Sequence, residues 1–119
     1  MTKIAVVDDH PLMRKAFIDL LTAANICLCI MEASNGQEII DAFSWFTELP
    51  DMILVDIAMP IKNGLEVLKW LQQNHPDIKV IMMSLYPYHE SITEMLALGA
   101  DEYICKSQSP QEIIATVSL

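Results

Sequence analysis

Five short apolar runs, each followed by a stretch of helical period, constrain the fold more than any other feature of this 119-residue chain. The runs occupy residues 4–7, 26–31, 52–55, 79–83 and 102–105. Their apolarity is continuous rather than alternating, as in strands covered on both faces. The stretches between them carry helix punctuation. Pro11 suits a first helical position, with Leu12, Ala16, Phe17, Leu20 and Leu21 along one side. Asn35 with Glu38, and Asn63 with Glu66, have capping-box spacing. Ile39, Phe43 and Phe46 line the first of these two helices; Leu65, Leu68 and Leu71 line the second, which Pro76 ends. A fourth helix is expected over about 88–98, with Ile92, Met95 and Leu96 inward and Gly99 as its stop. Ser109-Pro110-Gln111-Glu112 opens a fifth, combining N-cap, first-turn proline and capping acid.

Strand–helix alternation repeated five times predicts an α/β fold, a doubly wound parallel sheet with right-handed crossovers and helices on both faces. No repeat, low-complexity run or linker divides residues 1–119, so one domain is expected. Its 53% hydrophobic content is ample for a single core. The fifth helix is short, which points to a chain trimmed from a longer protein.

Sixteen Asp and Glu against seven Lys and Arg, a formal charge of −9, argue against this segment gripping nucleic acid itself. Cys27, Cys29 and Cys105 lack metal-ligand spacing and read as reduced structural thiols of a cytoplasmic protein, the first two on one face of a strand. The N-terminus has no signal-peptide pattern, and no apolar run approaches the length of a membrane span.

In an open parallel sheet, ligands gather beyond the carboxyl ends of the strands. There the first run delivers Asp8 and Asp9, the third Asp56, the fourth Ser84 and the fifth Lys106. Singly, each has a plainer role, since Asp caps helices, Ser forms turns and Lys is a solvated charge. Their coincidence at four strand ends points to one site. Three carboxylates held close repel one another, and a hard divalent cation with oxygen ligands relieves that repulsion. Lys106 brings a point charge, and Ser84 a hydroxyl, suited to oxygens of a transferring phosphoryl group. Asp56 is the candidate nucleophile, because carboxylates form aspartyl phosphates.

Taken with Leu54-Val55-Asp56-Ile57-Ala58-Met59-Pro60, Asn63-Gly64 and Gly99-Ala100-Asp101-Glu102-Tyr103, this set resembles the response-regulator receiver domains of two-component systems over nearly the whole chain. Val7-Asp8-Asp9-His10-Pro11-Leu12-Met13-Arg14 further resembles the NarL/FixJ-like subgroup, which carries a C-terminal LuxR-type helix-turn-helix for DNA binding. The resemblance implies a flavodoxin-like five-stranded sheet in order 2-1-3-4-5. It implies Asp56 as phosphoacceptor, with Mg²⁺ or Mn²⁺ held by Asp9, Asp56 and the Ala58 carbonyl, and Asp8 acting through a water. Ser84 and Tyr103 would form the switch pair, and Lys106 the ion-pair position. The implied partner is a sensor histidine kinase, with a homodimer allowed, DNA contacted only through an absent C-terminal domain, and no membrane. Such a domain catalyses only its own phosphotransfer and dephosphorylation, and works as a switch rather than an enzyme.

Some positions depart from the commoner pattern. Leu85 is larger than usual and is expected to narrow access to Asp56 or hinder Tyr103. Ser107 stands where proline is usual, which removes a cis peptide bond often found there. Ala58 and Tyr86 sit where the family tunes dephosphorylation. His10 reads as a first-turn residue beside Pro11, since hard Mg²⁺ prefers oxygen. His75 reads as a helix-end residue, His89 as surface, the eight methionines as core filler, and Trp45 and Trp70 as exposed. Three other functions fare worse. A phosphohydrolase on a similar sheet would want a second acid where Ala58 stands. A phosphate-independent receiver-like interaction module would be expected to have lost its acid pocket, and a dinucleotide site would need a glycine-rich loop after the first strand.

Overall fold

The computed structural model describes residues 1–86 and 91–118. Strands β1 (Thr2–Val7), β2 (Cys27–Ala33), β3 (Met52–Asp56), β4 (Lys79–Ser84) and β5 (Glu102–Cys105) alternate with helices α1 (Pro11–Ala23), α2 (Gly36–Trp45), α3 (Gly64–Asn74), α4 (Ile92–Ala97) and α5 (Pro110–Ser118). All strand pairs are parallel, in the order β2-β1-β3-β4-β5. The chain thus turns outward to β2 and returns past β1 to β3, which puts the topological switch point between β1 and β3.

Side chains alternate between the two faces of the sheet, and each face has its own core. Ile4 and Val6 of β1 pack with Phe17 and Leu21 of α1 and Ile113 and Val117 of α5. Ala5 and Val7 point the other way, toward Ile39 and Phe43 of α2, Val67, Leu68 and Leu71 of α3, and Met95 of α4. Every residue of β3 is buried. That explains its unbroken apolar run, which ends in a carboxylate.

The helix starts behave as local chemistry dictates. Asn63 accepts from the Glu66 N–H at 3.0 Å, and Glu66 accepts from the Asn63 N–H at 3.2 Å, closing a capping box. Asn35 accepts from the Glu38 N–H at 2.9 Å, but Glu38 turns its carboxylate to the Ser34 N–H at 2.8 Å. Gly64 is required by space, because a Cβ there would lie 2.4 Å from the Asp56 carbonyl oxygen. The start of α3 therefore packs directly under the end of β3.

Several sequence expectations need correcting. Leu12 is 85% exposed and Ala16 is also exposed, because α1 turns Phe17 and Leu21 to the sheet instead. Phe46 lies past the end of α2 in extended backbone and is exposed, as is Leu96 on the outer side of α4. Trp70 is half-buried, with its ring edge-on to Phe43 at 5.5 Å and tilted against His75 at 5.4 Å. Trp45 is exposed as expected. The expected start of the fourth helix at residue 88, and His89, lie outside the described residues. Cys27 and Cys105 are buried and Cys29 half-buried, all as free thiols, and burial pushes the Cys27 and Cys29 thiols up. Among the described residues no helix is long and apolar enough to cross a membrane.

Candidate functional site

Asp8 and Asp9 follow β1, and the backbone there is tied on both sides. The Asp8 N–H donates to the Ala33 carbonyl at the end of β2 at 3.0 Å, and Arg14 Nη1 donates to the Asp8 carbonyl at 2.7 Å. The Asp8 carboxylate accepts from the His10 N–H at 2.9 Å, a turn that delivers Pro11 to the first position of α1. Asp56 closes β3 and is 4% exposed; its Oδ1 accepts from the Ala58 N–H at 3.3 Å.

Lys106 enters from the end of β5, where its N–H donates to the Ser84 carbonyl at 2.7 Å. Its side chain is buried, with Nζ 2.7 Å from Asp8 Oδ2 and 3.1 Å from Asp56 Oδ2. Asp9 Oδ1 is buried and makes no hydrogen bond; the His10 ring nitrogen Nδ1 lies 3.1 Å away. Ligand atoms of Asp8, Asp9, His10 and Asp56 fall within 4.8 Å of one another.

The electrostatics follow from this crowding. Three carboxylates face one ammonium, leaving two negative charges uncompensated. Burial pushes the Asp56 carboxyl up to about 6, against the attraction of Lys106, and the Asp8 charge and a hydrogen bond with Asp9 push the same way. A divalent cation matches both the residual charge and the oxygen atom left without a donor.

Ser84 ends β4 and is buried, with its Oγ accepting from the Tyr86 N–H at 3.2 Å. Tyr103 on β5 is half-buried and donates its hydroxyl to the Tyr86 carbonyl. Burial raises the Tyr103 phenol, and a hydrogen bond with Ser84 opposes that. Ser84, Tyr86 and Tyr103 thus form a second polar group beside the Asp–Lys cluster. Leu85 is 53% exposed. No cis peptide bond occurs among the described residues, including the one before Ser107. A cleft of about 470 Å³ lined by Asp9, Ala58, Met59, Asn63, Ser91 and Met95 opens next to the acids.

Of the residues singled out from sequence, Asp8, Asp9, Asp56 and Lys106 converge, with Ser84 tied to Lys106 through the backbone. Two neighbours join them, Arg14, which has no role in the sequence reading, and His10, which reads there as a first-turn residue. Arg14 has no local signal, since its bond to the Asp8 carbonyl and its 2.9 Å contact with Glu32 depend on how α1 lies against β2. His10 did have one, its position directly after the acid pair.

The response regulator receiver domain family matches residues 4–118. The chain belongs to this family. It is 36% identical over 118 residues to the transcriptional regulatory protein LnrK of Bacillus subtilis, covering 98% of this chain and 52% of LnrK. It is 33% identical over 118 residues to protein CcdB of the same organism, covering 99% of this chain and 96% of CcdB. The signal receiver domain of a NarL response regulator from Mycobacterium tuberculosis superposes with a TM-score of 0.84 at 27% identity, covering 98% of this chain and 92% of that one. These relatives support the NarL/FixJ-like subgroup. This receiver domain spans about half the length of several curated relatives it matches, LnrK and the NarL of Escherichia coli among them. Receiver domains of two-component systems generally act as signalling switches and typically bind Mg²⁺ at an acidic pocket, and this one has the acid cluster.

Proposed function

We propose that this receiver domain takes a phosphoryl group from the phosphohistidine of a sensor histidine kinase onto Asp56. The observation that carries the reading is Lys106, buried between Asp8 and Asp56, with an oxygen of Asp9 left without a hydrogen bond on the same cluster. An Asp56 carboxylate oxygen attacks phosphorus, the P–N bond to the kinase imidazole breaks, and its electron pair leaves with the ring nitrogen. The product is an acyl phosphate. Asp9, Asp56 and the Ala58 carbonyl would hold Mg²⁺ or Mn²⁺, with Asp8 acting through water, and the cation would supply charge compensation at the phosphoryl oxygens. Lys106 would exchange its bond to Asp56 for one to a phosphoryl oxygen, and the Ser84 hydroxyl would donate to another.

Modification adds roughly −1.5 to −2 charges at the edge of the sheet. Ser84 moving toward that charge would break its bond to the Tyr86 N–H, and with it the arrangement that Tyr103 shares. The switch thus runs from Asp56 through Ser84 and Tyr103 to the outer face of α4 and β5. An output domain beyond residue 119 that binds DNA is part of the same proposal, supported by the name and length of LnrK.

The test is incubation with Mg²⁺ and a small acyl phosphate, read by intact mass beside Asp56→Asn. The parent is expected to gain one phosphoryl group, with no gain in the variant or without Mg²⁺. A folded parent that takes no phosphoryl group from either the acyl phosphate or a phosphohistidine donor would leave only a phosphate-independent module.

A further inference from the structure

From sequence His10 reads as a helix-start residue, and its backbone does occupy the N-cap of α1. Its ring, however, makes no capping hydrogen bond. It is held over the acids by the bond from its own N–H to Asp8 and by Pro11, which fixes the backbone that follows. Lys106 takes the Oδ2 atoms of Asp8 and Asp56, whereas His10 Nδ1 approaches Oδ1 of Asp8 at 3.2 Å and Oδ1 of Asp9 at 3.1 Å. Asp56 Oδ2 lies 4.0 Å from the same nitrogen. The His10 side chain is 58% exposed, so the arrangement is reachable from solvent.

These separations can be compared with coordination geometry. Donors at 2.0–2.2 Å from one ion lie about 3 Å apart in adjacent octahedral positions and just over about 4 Å apart in opposite ones. His10 Nδ1 meets the first value with Asp9 and comes close to the second with Asp56, while its 3.2 Å separation from Asp8, whose carboxylate would act through water, is a hydrogen bond. Asp9 Oδ1, buried and without a hydrogen-bond donor, is one of the atoms so arranged.

We propose that the His10 Nδ1 atom is a nitrogen ligand of the divalent-cation site, which therefore prefers later first-row ions over Mg²⁺. The proposal rests on the acid cluster being the cation site described above and adds a donor to it. Imidazole binds transition metals well and Mg²⁺ poorly, so one nitrogen in an oxygen set shifts selectivity more than overall affinity.

Co²⁺ and Mg²⁺ titrated separately by calorimetry into the parent, His10→Asn, His10→Ala and Asp9→Asn would test it. His10→Asn keeps a good N-cap residue and guards against a folding defect. The parent is expected to bind Co²⁺ tighter than Mg²⁺, and both His10 variants to lose about tenfold in Co²⁺ affinity with less than a twofold change for Mg²⁺. The Co²⁺-loaded parent should show a hyperfine-shifted exchangeable imidazole proton in its NMR spectrum, absent from both variants. Unchanged Co²⁺ affinity, an equal loss for both ions, or persistence of the shifted proton without His10 would overturn the proposal. Loss of both ions in Asp9→Asn, together with one of those results, would leave the cation site standing and remove only His10 from it. Failure of the parent to bind either ion would remove the cation site itself.

Discussion

α3 and α4 follow adjacent strands, β3 and β4, and differ in what holds them. α3 opens with a closed capping box, presses Gly64 against the Asp56 carbonyl, and buries Val67, Leu68 and Leu71 almost completely. α4 has six described residues and buries one of them, Met95, while Leu96 on its outer side is 48% exposed. Local opening costs least where few apolar contacts are lost. The helix beneath Asp56 is therefore the more firmly held of the two, and the one after Ser84 is the element that the proposed modification would move at least cost. A phosphoacceptor and a surface that answers to it, as proposed above, would need opposite properties, and adjacent strands carry helices that differ in this way.

Core truncation gives the largest test of this contrast. Leu68→Ala should lower global stability by about 3 kcal/mol, read from denaturant midpoints. Met95→Ala should lower it by about 2 kcal/mol and also accelerate amide exchange across residues 92–97 beyond the rest of the sheet. Equal exchange in α3 and α4 after Met95→Ala would remove the distinction between the two helices.

The end of β3 carries its own stress in the charge of Asp56. Its carboxyl stands at about 6 in the folded domain against 3.8 as an ordinary value, so ionisation is disfavoured by folding. Stability from this group is present below pH of about 4 and is lost as pH rises toward 6, by on the order of 2 kcal/mol after allowance for coupling to Lys106 and Asp8. Asp56→Asn should abolish that loss, and a bound divalent cation should offset it in the parent. Denaturation series at pH 4, 5, 6 and 7, with and without Mg²⁺, would show it. A parent whose pH profile parallels that of the variant would mean the acid cluster is already neutralised from within.

The smallest effect concerns the cap. Asn63→Ala removes the bond to the Glu66 N–H and should cost about 1 kcal/mol, with exchange rising only in the first turn of α3. A change spreading to Asp56 would show that α3 is held by its cap more than by its core.

Local chemistry made much of this legible beforehand. The Asn63–Glu66 box, Pro11 and the continuous runs ending in Asp8, Asp56, Ser84 and Lys106 are signals completed within a few residues, and the five strands and their parallel order agree with them. What failed was the choice of face. Leu12, Ala16 and Leu96 lie at helical spacing with buried residues yet stay exposed, because the width of an apolar stripe does not say how much of it a neighbour covers. Trp70 erred in the other direction, its half-burial arising from Phe43 of α2 and His75 beyond α3. His10 and Arg14 lie near the acid pair in sequence, but a turn and the docking of α1 on β2 decided where their side chains meet it. Sequence alone therefore determined which chemical groups reach the edge of the sheet, since each parallel strand delivers there the residues that end it or directly follow it. Tertiary structure decided which atoms of those groups face one another, because distances of about 3 Å are set by packing between elements far apart in the chain.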